Sequence, residues 1–328
     1  MGPTRTLVTG AGGFVGRALA TSLRASGIPV RGVVRTSRQV PVDELVTADL
    51  STLEAENLLM ADIDTVFHLA AKTHDLSDAA GMESEYQRIN VEGMRRLLAC
   101  AHGRAIRRFV FVSSVKAVGE GGPGPIDEDA PPRPLTAYGR SKLEAERLLL
   151  HDARARGFEA VVLRFPLVYG VGQRGNLQRM IEAIERGHFP APPANGNRRS
   201  MLHVENAVDA LRLAGAHPSA AGHTYTVTDT RPYGTREIHD LIRQALGMSP
   251  ASWTVPSSAF RAAAVAGDLA RRLLGRRVGF DSEALQKLLG SAWYRGDRIA
   301  RDLGFVATRD LPGSIRSLVD DVCERRVS

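Results

Sequence analysis

Apolar residues along this chain come in short continuous runs that alternate with stretches at helical spacing. Thr6–Thr9 is a short run, and 14–26 (FVGRALATSLRAS) spaces its apolar residues by three and four with Gly27 behind them. That pair predicts a buried strand followed by an amphipathic helix. Val30–Val34 and residues 65–69, 108–113 and 160–165 repeat the strand signal, the third of these through Phe109-Val110-Phe111-Val112. Residues 86–102 and 136–154 read as helices between them. Strands that lack polar alternation need cover on both faces, so the pattern predicts a doubly wound parallel α/β sheet with its ligand at the carboxyl ends of the strands. From about residue 170 the regularity fades, and 121–134 (GGPGPIDEDAPPRP) and 189–199 (FPAPPANGNRR) read as loops. The expected division is a larger domain, 1–169 with a returning segment at about 203–230, and a smaller, mostly helical one from 170–202 and 231–328.

Composition narrows this picture only a little. With 328 residues, 43% of them hydrophobic, the chain has room for one large domain or two. There is no run of 18 apolar residues, and Thr9-Gly10 interrupts the start, so no membrane span or export signal is expected and the cytoplasm is the expected compartment. Cys100 and Cys323 are the only cysteines, too few and too far apart for a disulfide framework or a metal site. The net charge of +7 comes from scattered arginines without an aromatic-rich or helix-turn-helix signature, so a nucleic-acid partner is not expected. The lysines are only Lys72, Lys116, Lys142 and Lys287. The basic amphipathic stretch 258–278 (SAFRAAAVAGDLARRLLGRRV) reads as a helix packing its Ala/Leu face inward, the alternative being contact with an anionic membrane surface.

Two patterns carry chemistry. Gly10-x-x-Gly13-x-x-Gly16 follows a strand and opens a helix, where the chain can turn tightly and present helix N-terminal amides to a pyrophosphate. Tyr138 and Lys142 sit four apart at the start of a helix, which puts a phenol and an ammonium on one face. A cation beside a phenol favours the phenolate and brings a poor acid-base group toward the working range.

Together these motifs resemble the short-chain dehydrogenase/reductase superfamily. Asp49-Leu50, His68-Leu69-Ala70-Ala71, Asn90-Val91-x-Gly93, Ser113-Ser114 and Arg164-Phe165-Pro166-Leu167-Val168-Tyr169-Gly170 are similar to its extended branch, the NAD-dependent epimerase/dehydratase family, over essentially the whole chain. The resemblance implies a Rossmann-type fold with a C-terminal substrate domain, and a homodimer built on the Tyr/Lys helix and the helix before it. It implies Tyr138 as general acid/base, Lys142 on the nicotinamide ribose lowering the tyrosine pKa, and Ser114 holding the substrate oxygen. For the dinucleotide it implies Gly10, Gly13, Phe14, Val15 and Gly16 at the turn and Asp49 and Leu50 at the adenine. Leu69, Ala70, Ala71, Lys72, Asn90, Val112 and Phe165 complete that set, whereas His68 reads as a buried strand residue. Asn176, Leu177 and Arg199 would bind a nucleotide diphosphate, and Lys116 an anionic or acetamido group of the substrate.

Two departures refine the expectation. NAD-dependent relatives end the second strand with an Asp, but here Val34 is followed by Arg35 and then Arg38, which favours NADP(H), with NAD(H) the alternative. Nucleotide-sugar 4,6-dehydratases follow their hydroxyl residue with Asp-Glu. Val115-Lys116 stands here instead, which argues against dehydration. The expected activity is oxidoreduction at C4 of a nucleotide sugar. Within it, a UDP-4-keto-sugar reductase of surface-polysaccharide synthesis leads, and a UDP-sugar 4-epimerase with tightly held NAD is the alternative. A dihydroflavonol- or sterol-type reductase and a non-catalytic dinucleotide-binding protein stand behind both.

Overall fold

Strand β1 (Thr6–Thr9), β2 (Val30–Val34), β4 (Thr65–His68) and β5 (Arg108–Ser114) are buried almost throughout. A computed structural model describes residues 2–54, 58–73, 82–122, 124–274 and 280–327. Among these, β3 (Glu44–Thr47), β6 (Glu159–Phe165) and β9 (Thr224–Thr226) complete a seven-stranded parallel sheet in the order β3-β2-β1-β4-β5-β6-β9. Adjacent residues of a strand serve opposite faces. Val8, Phe67, Val110 and Leu163 pack under α1 (Phe14–Ala25) and α6 (Val204–Ala216). Leu7, Val66, Phe109 and Val162 pack on the other face, under α3 (Gly93–Cys100) and α4 (Ala137–Arg156). The direction of winding reverses between β1 and β4, which opens a crevice at their carboxyl ends.

The expected helix 86–102 begins earlier and changes pitch. It comprises α2 (Met82–Tyr86), a wider π turn Gln87–Glu92 and then α3. The edge strand β3, mostly exposed, and the three-residue β9 were not legible as runs because pairing with a neighbour, more than their own composition, makes them strands. α4 is capped by Thr136, whose hydroxyl accepts from Gly139 N at 3.1 Å, and stops at Gly157 in the left-handed region.

Past β6, β7 (Leu167–Tyr169) pairs in parallel with β8 (Met201–His203). Tyr169, Leu177 and Tyr233 form a further core with α5 (Asn176–Glu185), α7 (Thr235–Ala245) and α11 (Leu311–Val327). α8 (Ser257–Leu274), α9 (Ser282–Leu289) and α10 (Asp297–Leu303) complete the C-terminal half. Among the described residues no helix is long and apolar enough to cross a membrane.

The structure corrects the reading of 258–278, of which 275–278 lie outside the described residues. α8 turns Phe260, Ala264 and Gly267 inward, while Val265, Leu269 and Leu273 stay 66%, 55% and 76% exposed. Close packing selects that orientation. A Cβ on Gly267 would stand 2.1 Å from the Phe280 carbonyl, so only small residues fit against the start of α9 and the leucines face out.

Candidate functional site

The glycine turn is built for a close approach. Gly10 has φ +69°, and a Cβ there would lie 2.8 Å from Ala70 N across the crevice. A Cβ on Gly16 would come within 2.2 Å of Gly10 O, which is why α1 can start directly beneath the turn. Gly13, the N-cap of α1, supplies no side-chain cap, so the first-turn amides face outward toward an anion. This cradle fits a dinucleotide pyrophosphate. Phe14 lines the same turn and packs near Gly170, whereas Val15 is partly buried against the core.

At the far end of the crevice, Val34 is buried and Arg35 and Arg38 are exposed. Arg38 donates from Nη1 to Gly12 O at 3.2 Å, which draws it over the glycine turn. Asp49 accepts from Ser51 Oγ at 2.8 Å and Ser51 N at 2.9 Å, and those bonds, with Arg88 and Arg35 nearby, hold its carboxyl below the usual carboxylate range. Leu50 is buried beside it.

Asn90, brought inward on the π turn, ties the crevice to α4. It accepts from Lys72 N at 2.8 Å and donates to Lys72 O at 3.2 Å and Ser141 Oγ at 2.9 Å. Ser141 in turn donates to Tyr138 O at 2.8 Å. Leu69 and Ala70 donate their amides to Thr9 Oγ1, each at 3.2 Å. Thr9 Oγ1 also lies 2.7 Å from His68 Nδ1, and His68 stacks on Phe111 with centroids 5.4 Å apart. Burial holds that imidazole down to about 3, with Lys142 adding to the effect, so His68 is a neutral core residue. Ala71 and Lys72 are partly buried, Lys72 Nζ lying 3.3 Å from Glu85.

Ser114, Tyr138 and Lys142 converge where β5 ends against the first turns of α4. Tyr138 shares a hydrogen bond with Ser114 and packs its ring against Tyr86, tilted at 57° with centroids 5.7 Å apart, a neighbour without any sequence signal. Burial pushes the phenol up to about 12, the Ser114 bond pulls it back and Tyr86 adds to the rise. The expected lowering by Lys142 is not what governs this geometry. Lys142 Nζ donates to Val112 O at 2.8 Å and lies 4.3 Å from the Phe111 centroid. Burial brings the ammonium down to about 7, opposed by Glu146 one turn along α4.

Glu146 is the functional neighbour that sequence reasoning passed over. Its carboxylate takes two bonds from Arg164, at 3.0 and 2.7 Å, and one from Ser113 Oγ at 2.5 Å. A charged residue inside the apolar run 160–165, with a carboxylate on the face of Lys142, was the available signal. Phe165, next to Arg164, is core.

Tyr138 is also held by close backbone packing. A Cβ on Gly139 would lie 2.4 Å from Lys116 O, so the turn after Ser114 rests directly on α4. Gly139→Ala should therefore lower kcat about tenfold to a hundredfold while leaving dinucleotide affinity intact, as steady-state kinetics and a binding titration would read it.

The expected substrate residues fare differently. Lys116 pairs with Glu120. Asn176 is exposed at the first turn of α5, but the Leu177 side chain is core, so only its backbone can meet a ligand. Arg199 donates to Gly290 O at 2.9 Å, Gln286 O at 3.3 Å and Thr235 Oγ1 at 3.3 Å, capping the C-terminus of α9. Burial brings its guanidinium down to about 10. A cavity of about 910 Å³ lies between residues 194–197 and α7; no catalytic candidate lines it, but Asn197 on its wall donates to Gly290 O, the same carbonyl that takes Arg199.

A profile of the NAD dependent epimerase/dehydratase family matches residues 6–228. A 4-hydroxy-2-methyl-3-oxo-4-farnesyl-3,4-dihydroquinoline-1-oxide ketoreductase of Stigmatella aurantiaca is 32% identical, covering 93% of this chain and 96% of its own. A UDP-glucose 4-epimerase of Vibrio cholerae is 30% identical over 77% of this chain and 79% of its own. The solved structure of MoeE5 in complex with UDP-glucose and NAD is 29% identical with a TM-score of 0.77, covering 99% of this chain and all 100% of its own.

Proposed function

We propose, from the premise that the chain belongs to the NAD dependent epimerase/dehydratase family, that this enzyme interconverts a carbonyl and a hydroxyl at C4 of a nucleotide sugar. When bound, the dinucleotide supplies or accepts the hydride. Ser114 and Tyr138 would share the substrate oxygen, Tyr138 passing the proton and Ser114 fixing the geometry. Lys142 would hold the ribose. The observation that carries the reading is the Ser114–Tyr138 hydrogen bond at the open end of the glycine crevice. Val115 is buried and Lys116 is tied to Glu120, so neither offers an acid or base for removing water. That supports redox chemistry over dehydration.

Reduction is the favoured direction, with a 4-keto UDP-sugar as substrate and NADPH as donor. A phenol pushed up to about 12 keeps its proton at neutral pH and suits donation to an oxygen that is gaining charge. The exposed Arg35 and the lack of a carboxylate on Val34 support a 2′-phosphate. Arg35→Asp should shift the NADPH/NADH ratio of kcat/KM toward NADH by about ten- to a hundredfold, the worth of one charge-assisted bond. The deciding experiment is to denature protein purified without added cofactor and identify what is released. Protein that releases no cofactor and oxidises NADPH only with a 4-keto nucleotide sugar supports the reductase. Stoichiometric NAD⁺ would make it an epimerase.

A second reading has its own observation. The Arg199 guanidinium is already spent on carbonyls of α9, which removes a reason to require a diphosphate. Reduction of an apolar ketone, as in the Stigmatella relative, then fits the same triad. NADPH oxidation with a prenylated or steroidal ketone, and none with a 4-keto UDP-sugar, would decide for it.

A further inference from the structure

We propose that the exposed face of α8 docks the enzyme on an anionic membrane surface, with the helix lying parallel to the bilayer. α8 spans 18 residues, about 27 Å of helix. Val265, Leu269 and Leu273 recur every four residues, and the exposed Ala262 and Ala266 widen the same stripe. At 100° per residue, Arg261 and Arg272 fall side by side along one edge of that stripe. Neither is in an ion pair among the described residues, whereas Arg271, further round, reaches Asp268 and Asp281. Apolar side chains in a line with cations along their margin match the boundary between acyl chains and anionic headgroups.

Charge selects the bilayer over a second copy of this chain. The one acid of α8, Asp268, lies beside the arginine edge but is engaged inward, accepting from Ser282 Oγ at 2.5 Å and Ser282 N at 3.4 Å and pairing with Arg271. Two copies joined through this face would bring Arg261 and Arg272 of both together, with the one nearby carboxylate, Asp268, already engaged by Arg271 and Ser282, in a chain of net charge +7. An anionic surface meets the same edge with opposite charge. Trp253, four residues before α8 and 65% exposed, adds an amphipathic ring of the kind that settles at headgroup depth.

The test is co-sedimentation of the full chain with vesicles of phosphatidylglycerol and phosphatidylcholine, against vesicles of phosphatidylcholine alone. Wild-type protein should sediment with the mixed vesicles and weakly or not at all with the neutral ones. Replacing Val265, Leu269 and Leu273 together by Ser should reduce partitioning at least about tenfold. The pair Arg261→Ala and Arg272→Ala should reduce it about thirtyfold on anionic vesicles only, since each cation is worth about fivefold near such a surface. Every substituted position is exposed, so circular dichroism and turnover of a free substrate should match wild type. The proposal falls if wild type ignores anionic vesicles or if the triple variant binds as well as wild type. A dimer that the triple variant converts to monomer would give the face to a second copy instead and also overturn it.

Discussion

Tyr138→Phe should fold, bind dinucleotide with near wild-type affinity and turn over about 10²–10⁴-fold more slowly. The phenol is the group in the crevice positioned to pass a proton to a substrate oxygen, and Phe keeps the ring that packs tilted against Tyr86 with centroids 5.7 Å apart. Removing the hydroxyl also removes the burial cost of a polar group, so thermal unfolding should move little. Nucleotide titration by fluorescence and a stopped assay measure the two halves separately. Near-normal kcat in this variant would reassign the proton donor. The pH dependence of kcat/KM adds a check with a definite sign. Lys142, brought down to about 7, carries its charge below that pH and loses it above, so kcat/KM should fall as pH rises through about 7.

Glu146→Gln should destabilise the fold by about 3–5 kcal/mol, because it leaves Arg164 buried without its counter-ion. The two side chains are only 3% and 7% exposed, so water cannot replace the lost partner. A second effect reaches the chemistry. Burial disfavours the Lys142 ammonium and the Glu146 charge favours it, so removing that charge moves the alkaline limb of kcat/KM to lower pH. Replacing both partners with apolar residues, Glu146→Leu with Arg164→Met, should recover much of the stability and keep the shifted pH limb. Thermal unfolding separates the structural loss from the kinetic one. An unchanged unfolding midpoint in Glu146→Gln would show that the pair carries no net weight.

The parts of the site that were legible in the sequence are those made by local geometry. A glycine turn is specified by residues three apart, because φ and close approach are decided within a few peptides, as Gly10 and Gly16 show. The Tyr138 and Lys142 spacing is likewise a property of one helix. Illegible were contacts between residues far apart in the chain. Arg164 and Glu146 meet only because β6 lies under α4, and Arg199 looked like a phosphate ligand until α9 supplied carbonyls for it. Lys142 lies one helical turn from Tyr138 but directs an N–H to Val112 O.

By itself the sequence determined the buried strands, the alternation that makes a parallel sheet, the glycine turn and the family of chemistry, since each depends on period or on short-range backbone constraint. Tertiary structure decided how the charges inside are balanced and which way α8 faces. A helix's periodicity marks its apolar stripe but not the surface that stripe meets. Here the close fit of Ala264 and Gly267 against the start of α9 claimed the inner side and left Val265, Leu269 and Leu273 outside.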